Sequence, residues 1–238
     1  MLQINSVEIG HTKALLHISS LQLEQGKLYG LIGRNGIGKS TFLQTLVGVN
    51  PLLSGEIKVQ GYGLETLPKK ELAKKVAFVG TAFPVMDNLS VYEYLMLGRI
   101  PYTNVFGTTN IEDAKIVRSV IDLLQISYLE EKFTRQLSDG EKQLIAIAQA
   151  LVQQTGVLLL DEPTAFLDYE NKWKILKILK KCTAENQLCT VFSSHDIDIT
   201  LEVADYLLLI NPQTKEIKAV KTDEISKVEV ISFCFPSL

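Results

Sequence analysis

The chain has no long apolar run, no excess of positive charge and few cysteines, and each shortage narrows what it can do. No stretch reaches the roughly 18 consecutive apolar residues that a membrane-spanning helix needs. Val157–Leu160 and Leu207–Ile210 are runs of buried-strand length. A chain of this kind that serves a membrane depends on another chain for the spans. Lys plus Arg number 24 against 27 Asp plus Glu, a formal charge of −3, which leaves no electrostatic footprint for nucleic acid. Cys182, Cys189 and Cys234 are scattered, with no CxxC pair. Three thiols without metal-ligand spacing fit a reducing compartment. Met1–Gly10 show neither a basic n-region nor an apolar h-region, so no signal peptide is expected. Repeats, low-complexity tracts and long linkers are also missing.

What is present is globular composition, with 46% hydrophobic and 21% charged residues in 238. That length suits one large domain, or a core domain with a subdomain. The part up to about Gly63 is strand-rich. Leu28–Ile32 is a short apolar strand running into glycines, and Thr41–Val47 reads as a helix closed by Gly48 and Asn50-Pro51. From about Ser90 to Val152 the pattern changes. Val91–Leu97, Ile111–Leu124 and Gly140–Val152 carry helical spacing; Leu144, Ile147, Ala148 and Leu151 share one face. Val157–Leu160 and Cys189–Phe192 then read as buried strands around a Tyr169–Ala184 helix. Strands alternating with helices predict a parallel sheet covered on both faces, with the helical middle inserted into that α/β core.

Gly33-Arg34-Asn35-Gly36-Ile37-Gly38-Lys39-Ser40 matches GxxxxGK[ST] in full, between a predicted strand and a predicted helix. Glycines let backbone N–H groups turn inward around phosphate oxygens, and the helix N-terminus favours the same anion. Lys39 is expected to reach the β- and γ-phosphates, and the Ser40 hydroxyl to bind Mg²⁺. Val157–Leu160 ends in Asp161 and Glu162. Strand C-termini of a parallel sheet face the ligand crevice. Asp161 is therefore expected near the metal, and Glu162 where it polarises the attacking water. Farther along, Ser138 and Glu141 form an S-x-x-E capping box ahead of an amphipathic helix.

Taken together, these segments resemble the ATP-binding cassette family. Gly33–Thr41 is similar to its Walker A loop, Leu137–Glu141 to its LSGGQ signature and Leu158–Glu162 to Walker B. Leu167-Asp168 resembles the D-loop and His195 the switch histidine. Order and spacing match over about Leu2 to Val220. The resemblance implies an α/β fold: a P-loop NTPase core of ABC ATPase type with an N-terminal antiparallel β part. The core would take in residues 1–89 and 153–238, and the inserted helical subdomain about 90–152. It also implies that two cassettes pack head to tail, each ATP lying between one Walker A and the partner's signature. Ser138 and Gly140 would serve the partner's nucleotide, Thr41 and Asp168 would be further nucleotide-binding positions, and His195 would contact the γ-phosphate from its own side. His11 stands where the family places an adenine-stacking aromatic; a plain loop histidine is the alternative.

Three positions depart from the family pattern. Thr81 stands where the Q-loop glutamine reaches the Mg²⁺, Asp139 replaces the first signature glycine, and Glu141 replaces the signature glutamine. Leu89–Tyr94 and Leu97–Tyr102 resemble cassettes of iron-chelate, haem and cobalamin importers, and Tyr92, Tyr94 and Tyr102 are candidate aromatics of a permease-binding groove. The resemblance therefore implies an ATP-hydrolysing cytoplasmic motor, peripheral on the inner face of the cell membrane. Its expected partners are a second copy, integral membrane permease subunits and, indirectly, a periplasmic or surface substrate-binding protein, without nucleic acid. The competing readings are a soluble ABC ATPase acting on nucleic acid or ribosomes, a regulatory cassette with weak turnover, and an exporter motor.

Overall fold

The computed structural model describes residues 1–10, 12–84, 86–104 and 107–236. In chain order it contains β1 (Leu2–Gly10), β2 (Ala14–Leu23), β3 (Lys27–Ile32), α1 (Lys39–Leu46), β4 (Leu52–Val59), β5 (Tyr62–Gly63), α2 (Lys69–Ala73) and β6 (Val76–Val79). Then come α3 (Val91–Met96), α4 (Ile111–Leu124), α5 (Asp139–Val152), β7 (Val157–Leu160) and α6 (Tyr169–Glu185). The chain finishes with β8 (Cys189–Ser194), α7 (Ile197–Val203), β9 (Tyr206–Ile210), β10 (Ile217–Lys221) and α8 (Lys227–Cys234).

Two sheets organise these elements. The N-terminal sheet is antiparallel, in the order β2-β1-β4-β5. The second has six strands, β10-β9-β3-β8-β7-β6, parallel except for β10 against β9. Every residue of β7 and β8 is buried, as a strand covered on both faces requires. Their side chains alternate between two cores. Val157, Leu159 and Val191 join Leu2, Ile4, Leu16, Phe42 and Leu46 between the sheets. Leu158, Leu160 and Phe192 join Ile145, Ile147, Leu176 and Leu179 under the helices. A fully buried leucine contributes about 2 kcal/mol, so this period-2 division holds the two layers on opposite faces of one sheet.

The helices of the middle region start on local signals. Ser90 with Glu93, Asn110 with Asp113 and Ser138 with Glu141 all form capping boxes, each satisfying backbone N–H groups that a helix start leaves open. A buried cation then ties this region to the end of α5. The Arg99 guanidinium donates to Asp113 Oδ1 at 2.8 Å, to the Val152 carbonyl at 2.9 Å and to Gln154 Oε1 at 3.1 Å. The Tyr102 ring covers it at 3.9 Å, and the Tyr102 hydroxyl donates to the Gln153 carbonyl. Of the expected groove aromatics, Tyr94 is instead a core residue: it is buried against Phe83, and burial pushes its hydroxyl up to about 12. Tyr102 stays partly exposed.

Candidate functional site

Register brings the site together. Ile32 of β3 pairs with Ser194 of β8, Leu160 of β7 with Phe192, and Val79 of β6 with Leu160. These four of the sheet's five parallel strands thus end at one edge of the sheet. The glycine-rich loop, His195, the Asp161-Glu162 pair and Thr81 leave from that edge. Strand order sets their separations. Thr81 follows β6, three strand spacings from β3 or roughly 14 Å at about 4.8 Å each, and it lies exposed in a bend.

At the end of β3 the chain turns around Gly36 (φ +74°) and Gly38 (φ +117°) into α1. Both lie in the left-handed region, which disfavours a Cβ. The Lys39 ammonium folds back over this loop and donates to the Gly33 carbonyl at 2.9 Å and the Arg34 carbonyl at 3.3 Å. Burial lowers its pKa, and the nearby Glu162 and Asp161 charges oppose that fall. Asn35, Gly36, Gly38, Lys39, Ser40, Thr41, Glu162 and Leu15 line one cleft of about 240 Å³. Ile37 of the same loop is buried in the core between the sheets.

Asp161 is buried, and its Oδ1 accepts the Ser193 hydroxyl at 2.7 Å. Ser193 Oγ in turn accepts the Glu162 N–H at 2.8 Å. Glu162 has φ +50°, a conformation that costs a non-glycine residue about 1–2 kcal/mol. Its Oε1 reaches His195 Nδ1 at 3.4 Å.

The signature residues belong to a different cavity of about 100 Å³, lined by Ser138, Gly140, Glu141, Tyr128, Asn171 and Lys174 among others. It shares no lining residue with the phosphate-loop cleft. Asp168 caps α6 by accepting the Asn171 N–H at 2.8 Å, and Asn171 faces the signature cavity. Asp139 points to solvent and pairs with Lys142 at 2.9 Å, while Glu141 bonds the Ser138 N–H and Lys132. Burial would raise the Glu141 carboxyl, but these donors together hold it below the usual range. His11 lies outside the described residues. Among the described residues no group of three or more His, Cys, Asp or Glu gathers as a metal cage. A Mg²⁺ bound with nucleotide asks for less: one carboxylate and a hydroxyl beside phosphate oxygens. Asp161 and Ser40 supply hard oxygen donors of that kind.

Sequence reasoning missed Ser193, Leu15 and Asn171. Ser193-Ser194 closing a buried strand was the one available signal for Ser193.

A phosphate loop between strand and helix, acids on the neighbouring strand ends and a mostly parallel sheet define a P-loop nucleotide-binding protein. The family pattern described as ABC transporter matches residues 16–165. An uncharacterised ABC transporter ATP-binding protein of Methanocaldococcus jannaschii is 34% identical over 233 residues, 98% of this chain and 80% of that one. The iron(3+)-hydroxamate import ATP-binding protein of Bacillus subtilis is 30% identical, covering 82% of this chain and 72% of its own. A solved structure described as a metal-chelate type ABC transporter, inward-facing, superposes with TM-score 0.85 at 26% identity, over 99% of this chain and 88% of that one. The chain belongs to the ABC transporter family, as an ATP-binding subunit whose ATP hydrolysis drives transport. Among the described residues no helix is long and apolar enough to cross a membrane.

Proposed function

We propose that this chain is the motor of an importer for an iron chelate. The observation that carries the ATPase half of this reading is the convergence of Lys39, Glu162 and His195 at one sheet edge, with Glu162 and His195 in contact at 3.4 Å. Backbone N–H groups of Gly33–Thr41 and the Lys39 ammonium bind and orient the triphosphate. Ser40 and Asp161 would hold Mg²⁺, which when bound would neutralise phosphate charge. Glu162 takes the proton of the attacking water, and His195 steadies that carboxylate and faces the γ-phosphate. Thr81 sits beyond direct reach of the phosphate loop and contributes through a bridging water at most.

Ser138 and Gly140 lie in a cavity apart from the phosphate cleft. We therefore assign them, with Asp168, to the nucleotide of a second copy. The helices between about 90 and 152 form the subdomain that meets integral membrane permease subunits, with a substrate-binding protein delivering cargo from the far side. Iron chelate as cargo rests on the iron(3+)-hydroxamate relative, with the metal-chelate type structure giving only the broader class; haem and cobalamin are the neighbouring choices. The solvent-facing Asp139, neutralised by Lys142, weighs against a regulatory cassette with an obstructed signature.

The test is Glu162→Gln with Mg-ATP. We expect retained nucleotide affinity, hydrolysis slowed by at least a hundredfold and a dimer in size-exclusion chromatography. A persistent monomer at high concentration would count against self-pairing. Loss of iron(III)-hydroxamate uptake, but not of haem or cobalamin uptake, in cells lacking the chain checks the cargo.

A further inference from the structure

We propose that Ser193 is a positioning residue for hydrolysis: its one hydroxyl locks the Glu162 backbone to the Asp161 carboxylate and so aims the Glu162 side chain. Ser193 is completely buried in β8. Its hydroxyl uses its single proton on Asp161 Oδ1 at 2.7 Å and an oxygen lone pair on the Glu162 N–H at 2.8 Å. The two acids are adjacent in sequence, yet this bridge comes from a residue about 30 positions away, on the neighbouring strand.

The bridge falls at one of the chain's left-handed non-glycine positions. Glu162 is held at φ +50°, in the left-handed region that a glutamate leaves when nothing restrains it. Leaving it would swing Cβ, and with it the carboxylate that touches His195 at 3.4 Å. The Ala165 N–H on the Glu162 carbonyl at 3.0 Å holds the following peptide plane and the Ser193 bond the preceding one, so losing Ser193 frees one of the two planes between which φ is set. The Ser193 bond also fixes one Asp161 oxygen. Its direction follows from chemistry: an ionised carboxylate only accepts, so the serine must donate to it and accept from the amide. Alanine would strand two buried polar groups, and cysteine would keep the volume with a far weaker donor and acceptor.

This inference rests on Glu162 acting on the attacking water, and its test separates the two claims. Ser193→Ala, Ser193→Cys, Glu162→Gln and the doubles of each Ser193 variant with Glu162→Gln are compared for single-turnover hydrolysis and for Mg-ATP affinity with a fluorescent nucleotide. We expect Ser193→Ala and Ser193→Cys to slow hydrolysis at least tenfold with affinity within threefold of the parent. Added to Glu162→Gln, either should cause less than a twofold further loss, because a carboxylate already removed cannot be misaimed. The near-isosteric cysteine variant carries the test if the alanine variant does not fold. Parent-like hydrolysis in either folded variant overturns the proposal, as does a loss that multiplies with Glu162→Gln or falls on affinity instead. If Glu162→Gln itself hydrolyses ATP at the parent rate, the Glu162 assignment fails and the proposal falls with it.

Discussion

Glu162 and His195 meet at 3.4 Å although their strands approach the site from separate parts of the chain. β7 and β8 are paired in register, Leu160 beside Phe192, so the loops that follow them must leave side by side. The contact gives the histidine a purchase on the carboxylate that faces the phosphate cleft.

Removing that ring should loosen the carboxylate while leaving intact the Lys39 loop that carries most of the phosphate contacts. His195→Ala is expected to lower kcat by at least about tenfold, 1.4 kcal/mol of barrier, with nucleotide affinity within threefold. Steady-state ATPase assays beside equilibrium nucleotide binding measure both numbers.

Lys39 behaves differently, because its ammonium lies in the cradle itself. It is buried, and desolvation already lowers its pKa against the opposing charges of Glu162 and Asp161. A bound triphosphate adds to the negative charge of Glu162 and Asp161, so binding should favour the protonated form of this ammonium. Lys39→Ala should weaken Mg-ATP binding by two orders of magnitude or more in a fluorescence titration, and affinity equal to the parent would contradict the cradle assignment.

Thr81 leaves β6, the strand farther from β3 than β7 is, and its side chain is short and β-branched. Hydrolysis by Thr81→Val should therefore stay within threefold of the parent, with or without permease. A hundredfold loss, about 2.7 kcal/mol, would show that the hydroxyl is a working part of the site.

The Arg99–Asp113 pair yields a stability prediction. Burial alone would raise the Asp113 carboxyl, but the Arg99 guanidinium and the Asn110 N–H overcome it and hold the pKa below its ordinary value. A depressed folded-state pKa stabilises the fold above the unfolded-state value, near 4, and that share is lost as pH falls through the folded-state value. Asp113→Ala leaves a buried guanidinium without its counter-charge and should cost about 3–5 kcal/mol in urea denaturation at pH 7. Between pH 5 and 3 the variant should lose less further stability than the parent. An equal acid slope in both proteins would remove Asp113 from that titration.

The sequence alone determined what depends on neighbours along the chain. The glycines and lysine of residues 33–40, the S-x-x-E box at Ser138 and the apolar β7 ending in Asp161-Glu162 are local patterns, and each has the expected form here. The helical insert was legible for the same reason, through 3.6-residue periodicity in α4 and α5. The tail was not: α7, β10 and α8 are short, and α8 has no marked apolar face in its sequence. Tertiary structure decided the rest. The left-handed turn of Glu162 is unfavourable in isolation and persists because Ser193 grips it from another strand. Tyr94 became core because Phe83 and the neighbouring helices close over it. Arg99 is buried because a carbonyl 53 residues away needs its donor. A hydrogen bond across a sheet is set by register, and register is settled by the whole hydrophobic pattern at once, which no single segment of the chain contains.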